Sequence, residues 1–433
     1  MRKLKVAVIG AGSTYTPELV NGFLTRKDTL AVDSFYMMDI DQEKNRIVSG
    51  LAGRMIAASG IGAALRLTGS LEEAVEGADY VIGQVRVGRL DARVLDERIP
   101  LKYNLLGQET TGVGGYFNGL RTIPVIKNVA DTMEKLAPKA WLINFSNPSG
   151  IVAQMLSDVS PIRSIGLCNG PVNTIRFVKA FLPEGTKEFD VEYVGLNHLA
   201  WLTGILADGK NILPGLWDDE RLWKINEKTY GAEFMRAIGG IPSGYLNYYY
   251  SREETVKHCQ ELEKTRGEVC KEIEAELLKL YQDPNLVTKP AELDKRGGAM
   301  YSEAAVSLID AIENDKDEMH IVNVKNQGAL PFLSPCDVAE VRCMVGKDGP
   351  KPIPIREGYV NAHMVGIIQA VKIYERLAVK AGLTGDYDAG LLALLNHPLV
   401  GDYPKAKAVY DEMLAAHAKY LPQFAAARRW ESL

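Results

Sequence analysis

Over the first 170 residues, short and continuously apolar segments alternate with amphipathic ones, and few folds accept that pattern. A strand that is apolar along its whole length must be buried on both faces, which a parallel sheet covered by helices provides. Residues 4–9, 35–39, 65–68, 80–85 and 141–145 read as such strands, with helical spacing between them. Pro17 opens one helical run, and Asp41 stands where an N-cap for a second run, residues 42–58, belongs. A sixth strand at 163–167 is expected to end the sheet. The fold class that follows is α/β, a Rossmann-type doubly wound parallel sheet.

Beyond Asn169 the alternation stops. A strand-rich patch at 189–206 precedes helices near 253–281, 300–312, 359–381 and 404–418. Between the helices lie β segments at 320–324 and 338–345, and Gly349-Pro-Lys-Pro352 reads as a turn. At 433 residues the chain exceeds the ~250–300 at which a single core stops growing. Two domains are therefore expected, a dinucleotide-binding domain over 1–170 and a mixed α/β domain over 171–433.

Composition removes several function classes. The net charge is -5 and no cluster of Lys and Arg dominates a segment, so neither nucleic acid nor a membrane surface is the expected partner. Basic residues precede an apolar run at the N-terminus, but that run ends at Gly10-Ala-Gly12, too early for a secretory signal. No apolar stretch approaches the ~20 residues that span a bilayer. The five cysteines are scattered without disulfide spacing, which reads as a cytoplasmic chain with reduced thiols.

Gly10-Ala-Gly12 follows a strand and opens a helix, the context a dinucleotide fingerprint requires. Gly10 allows the tight turn, Gly12 lets the backbone approach a pyrophosphate, and the amides around Ser13 and Thr14 face the phosphate charge. The third glycine is missing, with Tyr15 in its place. Asp39 ends the second strand, where an acid accepts from adenosine ribose hydroxyls and disfavours a 2′-phosphate. NAD is thus expected over NADP.

Further segments crowd the carboxyl edge of the sheet or follow it. They are the Gly-rich stretch around Glu109, Asn144-Phe-Ser-Asn147, Gly166-Leu-Cys168-Asn169 and Gly195-Leu-Asn197-His198. On spacing alone, Cys168 and His198 are either a two-ligand metal pair with open positions or a buried thiol beside a hydrogen-bonded core histidine. His258, His320, His363, His397 and His417 have no partner spacing and read as structural or solvated. Cys259 and Cys270 fall on one expected helix, too far apart to share a metal. Trp201, Trp217 and Trp223 fit either a sugar site or, more simply, core packing.

In order along the chain stand Gly10-Ala-Gly-Ser-Thr-Tyr-Thr-Pro-Glu18, Ile99-Pro-Leu-Lys-Tyr103, Gly107-Gln-Glu-Thr-Thr-Gly112 and Asn144-Phe-Ser-Asn-Pro-Ser-Gly150. Gly166-Leu-Cys-Asn169, Gly195-Leu-Asn-His-Leu199, Tyr245-Leu-Asn-Tyr-Tyr249, Lys295-Arg-Gly-Gly-Ala-Met-Tyr301 and His320-Ile-Val-Asn-Val-Lys-Asn326 follow. This set resembles glycoside hydrolase family 4, in its 6-phospho-β-glucosidase branch, an NAD-dependent exception to two-carboxylate glycosidases. The resemblance implies a fold like that of lactate and malate dehydrogenases. It implies a reaction in which NAD takes a hydride from C3, the C2 proton is lost, the C1 aglycone leaves, water adds and the hydride returns.

It also implies roles. Cys168 and His198 match metal ligands, usually for Mn²⁺, Tyr245 the base at C2, and Glu109 the residue that tunes it; the bland alternative for Glu109 is an acid in a solvated loop. Arg93 and Asn147 match substrate-binding positions, with Arg98 a neighbouring rival better suited to a surface salt bridge. Arg296 is either a second ligand of the 6-phosphate or half of an ion pair. Asn169 stands where the α-active branch tends to have Asp, which fits the β branch and leaves the leaving-group proton without a donor. The substrate implied is a phosphorylated disaccharide or an aryl β-glucoside 6-phosphate, and homodimers or homotetramers are common in the family. The competing readings are an NAD-dependent hydroxy-acid dehydrogenase and a catalytically silent NAD-binding sensor, neither of which needs Cys168, His198 and Tyr245 together.

Overall fold

A computed structural model describes residues 1–223, 231–296 and 301–427. The apolar segments become the parallel strands β1 (Lys3–Ile9), β2 (Ala31–Met38), β3 (Ala64–Thr68), β4 (Tyr80–Gly83), β5 (Trp141–Asn144) and β6 (Arg163–Gly166). They lie in the order β3-β2-β1-β4-β5-β6. That is the order of a doubly wound dinucleotide-binding sheet, whose ligands bind outside the carboxyl ends of the strands. Val6, Val8, Val81, Ile82, Leu142 and Ile143 are fully buried, and each such side chain contributes about 1.5–3 kcal/mol. β2 begins ahead of the expected residue 35 because Asp33 and Ser34 interrupt the apolar run that marks the strand.

A second, antiparallel sheet is built on the hairpin of β7 (Phe189–Leu196) and β8 (Leu199–Ala207), with the short β9 (Lys210–Asn211) and β10 (Ile241–Pro242) on β8. The expectation that 163–167 ends the first sheet fails. β11 (Glu318–Lys325) pairs antiparallel with β6 at Asn323 and Gly166, and β12 (Val338–Gly346) and β13 (Gly349–Pro352) extend the sheet to nine strands. Gly349-Pro-Lys-Pro352, expected as a turn, is the outermost strand. Prolines lack an amide donor and are tolerated there because one side of an edge strand needs none. Arg342 on β12 reaches Asp190 at 3.0 Å and Glu192 at 2.9 Å on β7, tying the two sheets together.

Asp41 caps its helix as expected, accepting from the Lys44 amide at 3.1 Å. The helix expected over 253–281 is two, Arg252–Glu261 and Arg266–Leu280. Thr265 and Glu268 form a capping box that starts the second, a local signal masked by apolar spacing on both sides. The later helices run Tyr301–Glu313, Ala362–Thr384 and Tyr403–His417. Asn361 sets the start of the middle one by accepting from the Met364 amide. Residues 297–300 of the Lys295 motif and the Trp223 side chain lie outside the described residues.

Helices Arg89–Leu101 and Gly112–Leu136 are clamped behind the carboxyl edge by a buried ion pair. Arg121 grips both oxygens of Asp96 at 2.9 and 2.5 Å, and its Nε donates to the Val87 carbonyl at 3.2 Å. Both side chains are 1% exposed. Removing one partner of such a pair leaves an uncompensated charge, which costs about 3–5 kcal/mol. Arg121→Ala is therefore expected to lower the unfolding free energy by about that much, read as a fall in the urea midpoint by circular dichroism. An unchanged midpoint would show that the pair does not hold these helices.

Candidate active site

The dinucleotide loop is shaped by contacts that only glycine permits. Gly10 has φ +89°, and a Cβ there would sit 2.9 Å from the Gln84 carbonyl oxygen. At Gly12 a Cβ would sit 2.9 Å from Asp39 Oδ2, which instead accepts from the Gly12 amide at 2.8 Å. The other oxygen of Asp39 accepts from the Asp41 amide at 2.8 Å. The half-buried Asp39 thus closes the loop and keeps its remaining lone pairs at the carboxyl end of β2. Ser13 Oγ accepts from the Tyr15 amide at 3.3 Å. Thr14 is fully buried, and its hydroxyl accepts from Arg296 Nη1 at 2.7 Å, so its side chain anchors the loop from below. Helix Thr16–Thr25 begins at Tyr15 with no side-chain cap. Its first turn offers little to an anion, because the Tyr15 and Thr16 amides donate to Ser13 Oγ and the Ser13 carbonyl and Pro17 has no N–H.

Beside this loop is a cleft of about 580 Å³. It gathers seven of the expected site residues: Arg93, Glu109, Asn147, Asn169, His198, Tyr245 and Arg296. Each arrives from a segment that ends or turns at the carboxyl edge. Asn147 follows β5, Cys168 follows β6, and His198 lies in the two-residue turn between Leu196 and Leu199, which pair with each other. Tyr245 is in the short turn Gly244–Leu246 that follows β10.

Cys168 and His198 come together, with Sγ 3.5 Å from Nε2. Both residues are buried, and His198 Nδ1 has no protein partner. Cys168 caps helix Asn169–Lys179, where its sulfur accepts from the Gly170 amide at 3.4 Å. A sulfur and an imidazole nitrogen that share one metal, at bonds of about 2.3 and 2.1 Å, lie about this far apart. The pair therefore fits a divalent cation. Among the described residues no group of three or more His, Cys, Asp or Glu is arranged to hold a metal, so two protein ligands would leave positions open. Burial pushes the Cys168 thiol up to about 12, with the Glu340 charge adding to it. Burial pulls His198 down to about 4. His198 adopts φ +64°, a conformation that costs a non-glycine residue about 1–2 kcal/mol. Its ring stacks on Tyr245, with centroids 3.9 Å apart and planes at 22°.

Glu109 is not in a solvated loop. It is gripped by Arg86 and by Arg93 Nη1, the latter at 2.8 Å. Burial pushes its carboxyl up, but the two guanidinium groups outweigh burial and hold it below the usual carboxylate range. Arg93 Nε donates to Glu97 at 2.7 Å, and the other oxygen of Glu97 accepts from the Gly267 amide at 2.7 Å. Arg296 makes the ion pair of one of its two expected descriptions. It forms a 3.5 Å ion pair with Glu274, lies over the Tyr15 ring at 4.7 Å, and also lines the cleft. Arg98 makes the expected surface bridge, to Glu268 at 2.5 Å, and does not line the cleft.

Sequence reasoning misses Arg86, Tyr248, Arg266 and Cys270, all of which line the cleft. Position was the one usable signal for Arg86, which follows β4 at the ligand-binding edge. Cys270 escapes because the capping box puts it on a different helix from Cys259. Four of the residues read as bland have structural places. His397 is buried and hydrogen-bonded within the fold, and His417 lies 3.1 Å from Asp96 in the buried clamp. Trp201 is fully buried and Trp217 packs on the core of the second sheet.

Residues 5–184 match a family model described as Family 4 glycosyl hydrolase, and residues 193–400 match the Family 4 glycosyl hydrolase C-terminal domain. The chain is 42% identical to a probable 6-phospho-beta-glucosidase of Bacillus subtilis, over 97% of this chain and 98% of that one. It is 38% identical to the Escherichia coli 6-phospho-beta-glucosidase, over 98% and 97% of the two. The structure of the Thermotoga maritima 6-phospho-beta glucosidase with manganese, NAD+ and glucose-6-phosphate matches with a TM-score of 0.87 at 35% identity, covering 96% of this chain and 98% of that one.

The pair has a proton signature. A ligand cysteine must be a thiolate. In the metal-free protein Cys168 holds its proton up to about 12 while His198 is neutral above about 4. Near pH 8, binding of Mn²⁺ is therefore expected to release about one proton, and affinity to rise about tenfold per pH unit. Calorimetry in buffers of different ionisation enthalpy reads this directly. Binding without proton release would remove Cys168 from the ligand set.

Proposed function

The chain belongs to the family 4 glycosyl hydrolases, and on that footing we propose that it hydrolyses 6-phospho-β-glucosides to glucose 6-phosphate and an aglycone. The observation that carries this reading is one cleft lined, among the described residues, by His198, Tyr245 and four arginines, with Cys168 on His198 and Glu109 as the single carboxylate. A hydroxy-acid dehydrogenase has no need of the thiol, imidazole and phenol together. The arginine surplus suits a phosphate dianion. The cofactors are NAD and a divalent metal, most simply Mn²⁺; when bound they supply a reversible hydride acceptor for C3 and a Lewis acid for the sugar oxygens.

This chain's residues do the rest. The first domain, 1–170, receives the dinucleotide: the side-chain-free Gly10–Gly12 turn lets the pyrophosphate approach the backbone at Ser13 and Thr14, Thr14 anchors the turn, and Asp39 accepts from the ribose hydroxyls. The second domain, 171–433, closes the substrate and metal site. Cys168 and His198 hold the metal, and Tyr245 accepts the C2 proton. A free tyrosine, with a pKa near ~10, is a poor base at neutral pH. The charge of a metal held by Cys168 and His198 would lower that pKa. Glu109, fixed as a carboxylate by its arginines, tunes that field. Arg93, Asn147 and Arg296 orient the phosphate and hydroxyls. Asn169 at the helix N-terminus can hold the leaving oxygen through its amide but cannot protonate it as an acid. A thiolate ligand and five free cysteines suit the cytoplasm, where a homodimer or homotetramer is the expected form.

An aryl β-glucoside 6-phosphate assayed with NAD, Mn²⁺ and reductant, each omitted in turn, tests the reading. Aryl release is expected to need both cofactors and to leave no net NADH. Steady NADH accumulation would point to the dehydrogenase instead, and release indifferent to NAD would overturn the mechanism. Tyr245→Phe should lose at least about 100-fold in kcat, the usual worth of a positioned base, while NAD affinity is unchanged. Cys168→Ser should abolish the metal dependence.

A further inference from the structure

The cleft and the dinucleotide loop meet at one side chain. Among the described residues four arginines line the cleft, and three of them are committed away from the loop. Arg86 and Arg93 hold Glu109, and Arg266 Nη2 donates to the carbonyls of Lys295 and Arg296 at 3.1 and 2.8 Å. The fourth, Arg296, reaches from the cleft to the loop. Its Nη1 donates to the Thr14 hydroxyl at 2.7 Å, and its guanidinium lies 4.7 Å over the Tyr15 ring. The Arg296 side chain is only 9% exposed, yet its buried Nε has no hydrogen-bond partner among the described residues. Its contact with Glu274, at 3.5 Å, is longer than the about 2.7–2.9 Å of a charge-assisted hydrogen bond. The Nε edge of this guanidinium is therefore open to a stronger acceptor. Thr14 is held twice from the same stretch of chain, since its carbonyl also accepts from the Tyr281 hydroxyl at 2.7 Å. Glu274 in turn pairs with Lys44 at 2.7 Å, in the first turn of the helix that Asp41 caps beside Asp39.

We infer that Arg296 is a latch between the two ligands: a sugar phosphate bound on its open edge fixes its guanidinium against Thr14, and so holds the dinucleotide in place while the cleft is filled. The inference rests on the glycosidase reading. Its basis is the geometry of a guanidinium, whose planar fork takes an oxyanion along one edge and leaves the opposite N–H groups aimed elsewhere. With phosphate on the Nε edge, Nη1 stays directed at the Thr14 hydroxyl. Ordering this arginine and the loop it grips costs conformational entropy, and whichever ligand arrives second no longer meets that cost. The two ligands therefore bind with positive cooperativity, and linkage makes the effect reciprocal. The reaction gives the latch a use. A hydride taken from C3 must return to the same sugar, so the reduced cofactor has to stay until the sugar phosphate has left. Thr14 and Arg296 are positioning residues in this account, acting on the cofactor through the loop.

Glucose 6-phosphate and ADP-ribose test the latch. ADP-ribose carries the adenosine and pyrophosphate but lacks the nicotinamide ring that would touch the sugar, so coupling between the two must pass through the protein. Calorimetric titrations with Mn²⁺ and reductant present, at about 0.15 M salt to screen repulsion between the anions, give each affinity alone and with the other ligand saturating. Glucose 6-phosphate is expected to tighten ADP-ribose binding by about fivefold or more, and ADP-ribose to tighten glucose 6-phosphate by the same factor. Thr14→Val keeps the branched shape and removes the hydroxyl; it should bring the factor to about twofold or less while affinity for glucose 6-phosphate alone is unchanged. Thr14→Ser, which keeps the hydroxyl, should retain the coupling. Arg296→Met should abolish it and also weaken glucose 6-phosphate, and this variant decides if Thr14→Val no longer binds ADP-ribose. A factor near one in the wild type, or one that survives the deciding variant, overturns the latch while the glycosidase reading stands. Binding of neither ligand overturns both.

Discussion

The chemistry of this protein depends on a backbone junction between Gly166 and Asn323. Gly166 ends β6, where a doubly wound sheet would stop, and β11 pairs with it in the opposite direction. The approach is close: a Cβ on Gly166 would lie 2.8 Å from Ser149 Oγ and 3.0 Å from the Asn323 Cβ. Through this contact the last third of the chain joins the sheet of the first. Asn323 then donates to Glu340 at 3.1 Å, and Glu340 also accepts from Asn197 at 3.1 Å and Tyr193 at 2.7 Å. Cys168 lies two residues past Gly166, and His198 directly follows Asn197. One buried carboxylate, with three donors from the β7–β8 hairpin and β11, thus fixes the hairpin that carries His198 against the strand that pairs beside Cys168.

The same economy of charge runs through the cleft. Glu340 is buried among neutral donors, whereas Glu109 is buried between guanidinium groups, and the two carboxyls respond oppositely. Burial pushes Glu340 up, outweighing its hydrogen bonds, while Arg86 and Arg93 hold Glu109 down. A buried charge is tolerated only when paired. Glu97 completes the chain of pairs by turning Arg93 toward the cleft and anchoring the start of helix Arg266–Leu280. Arg296 couples the cleft to the dinucleotide loop, since it touches Thr14 and lies over Tyr15. A ligand that draws on these arginines therefore acts on both sites at once.

Legibility from sequence followed locality. The apolar strands and the Asp41 cap each rest on neighbours within a few residues, and the fold uses them as read; the Gly10–Gly12 turn forms in its expected place and Asp39 closes it. Cys168 and His198 were legible as a pair only by residue type and by resemblance, because a separation of 30 positions carries no spacing rule. The junction at Gly166 was not legible. Its partner strand lies more than 150 residues away, and antiparallel addition to a parallel edge leaves no mark in the edge strand itself. Arg86 is legible only by its position after β4: what makes it a site residue is Glu109, 23 residues on and brought to it by the packing of two helices.

The Cys168–His198 pair is also where stability is given up for function. His198 occupies a left-handed position that glycine would take without strain, and its Nδ1 is buried without a protein partner. The thiol is buried where ionising it is costly. None of these features helps the apo fold. They are compensated only if something binds the folded pair and not the unfolded chain, for such binding stabilises in proportion to RT ln(1 + [L]/Kd). A metal-binding pair meets that condition; a core thiol beside a core histidine does not. Backbone strain at His198 and a sulfur–Nε2 distance that suits one shared metal thus coincide at the residues that close the seam between the two sheets.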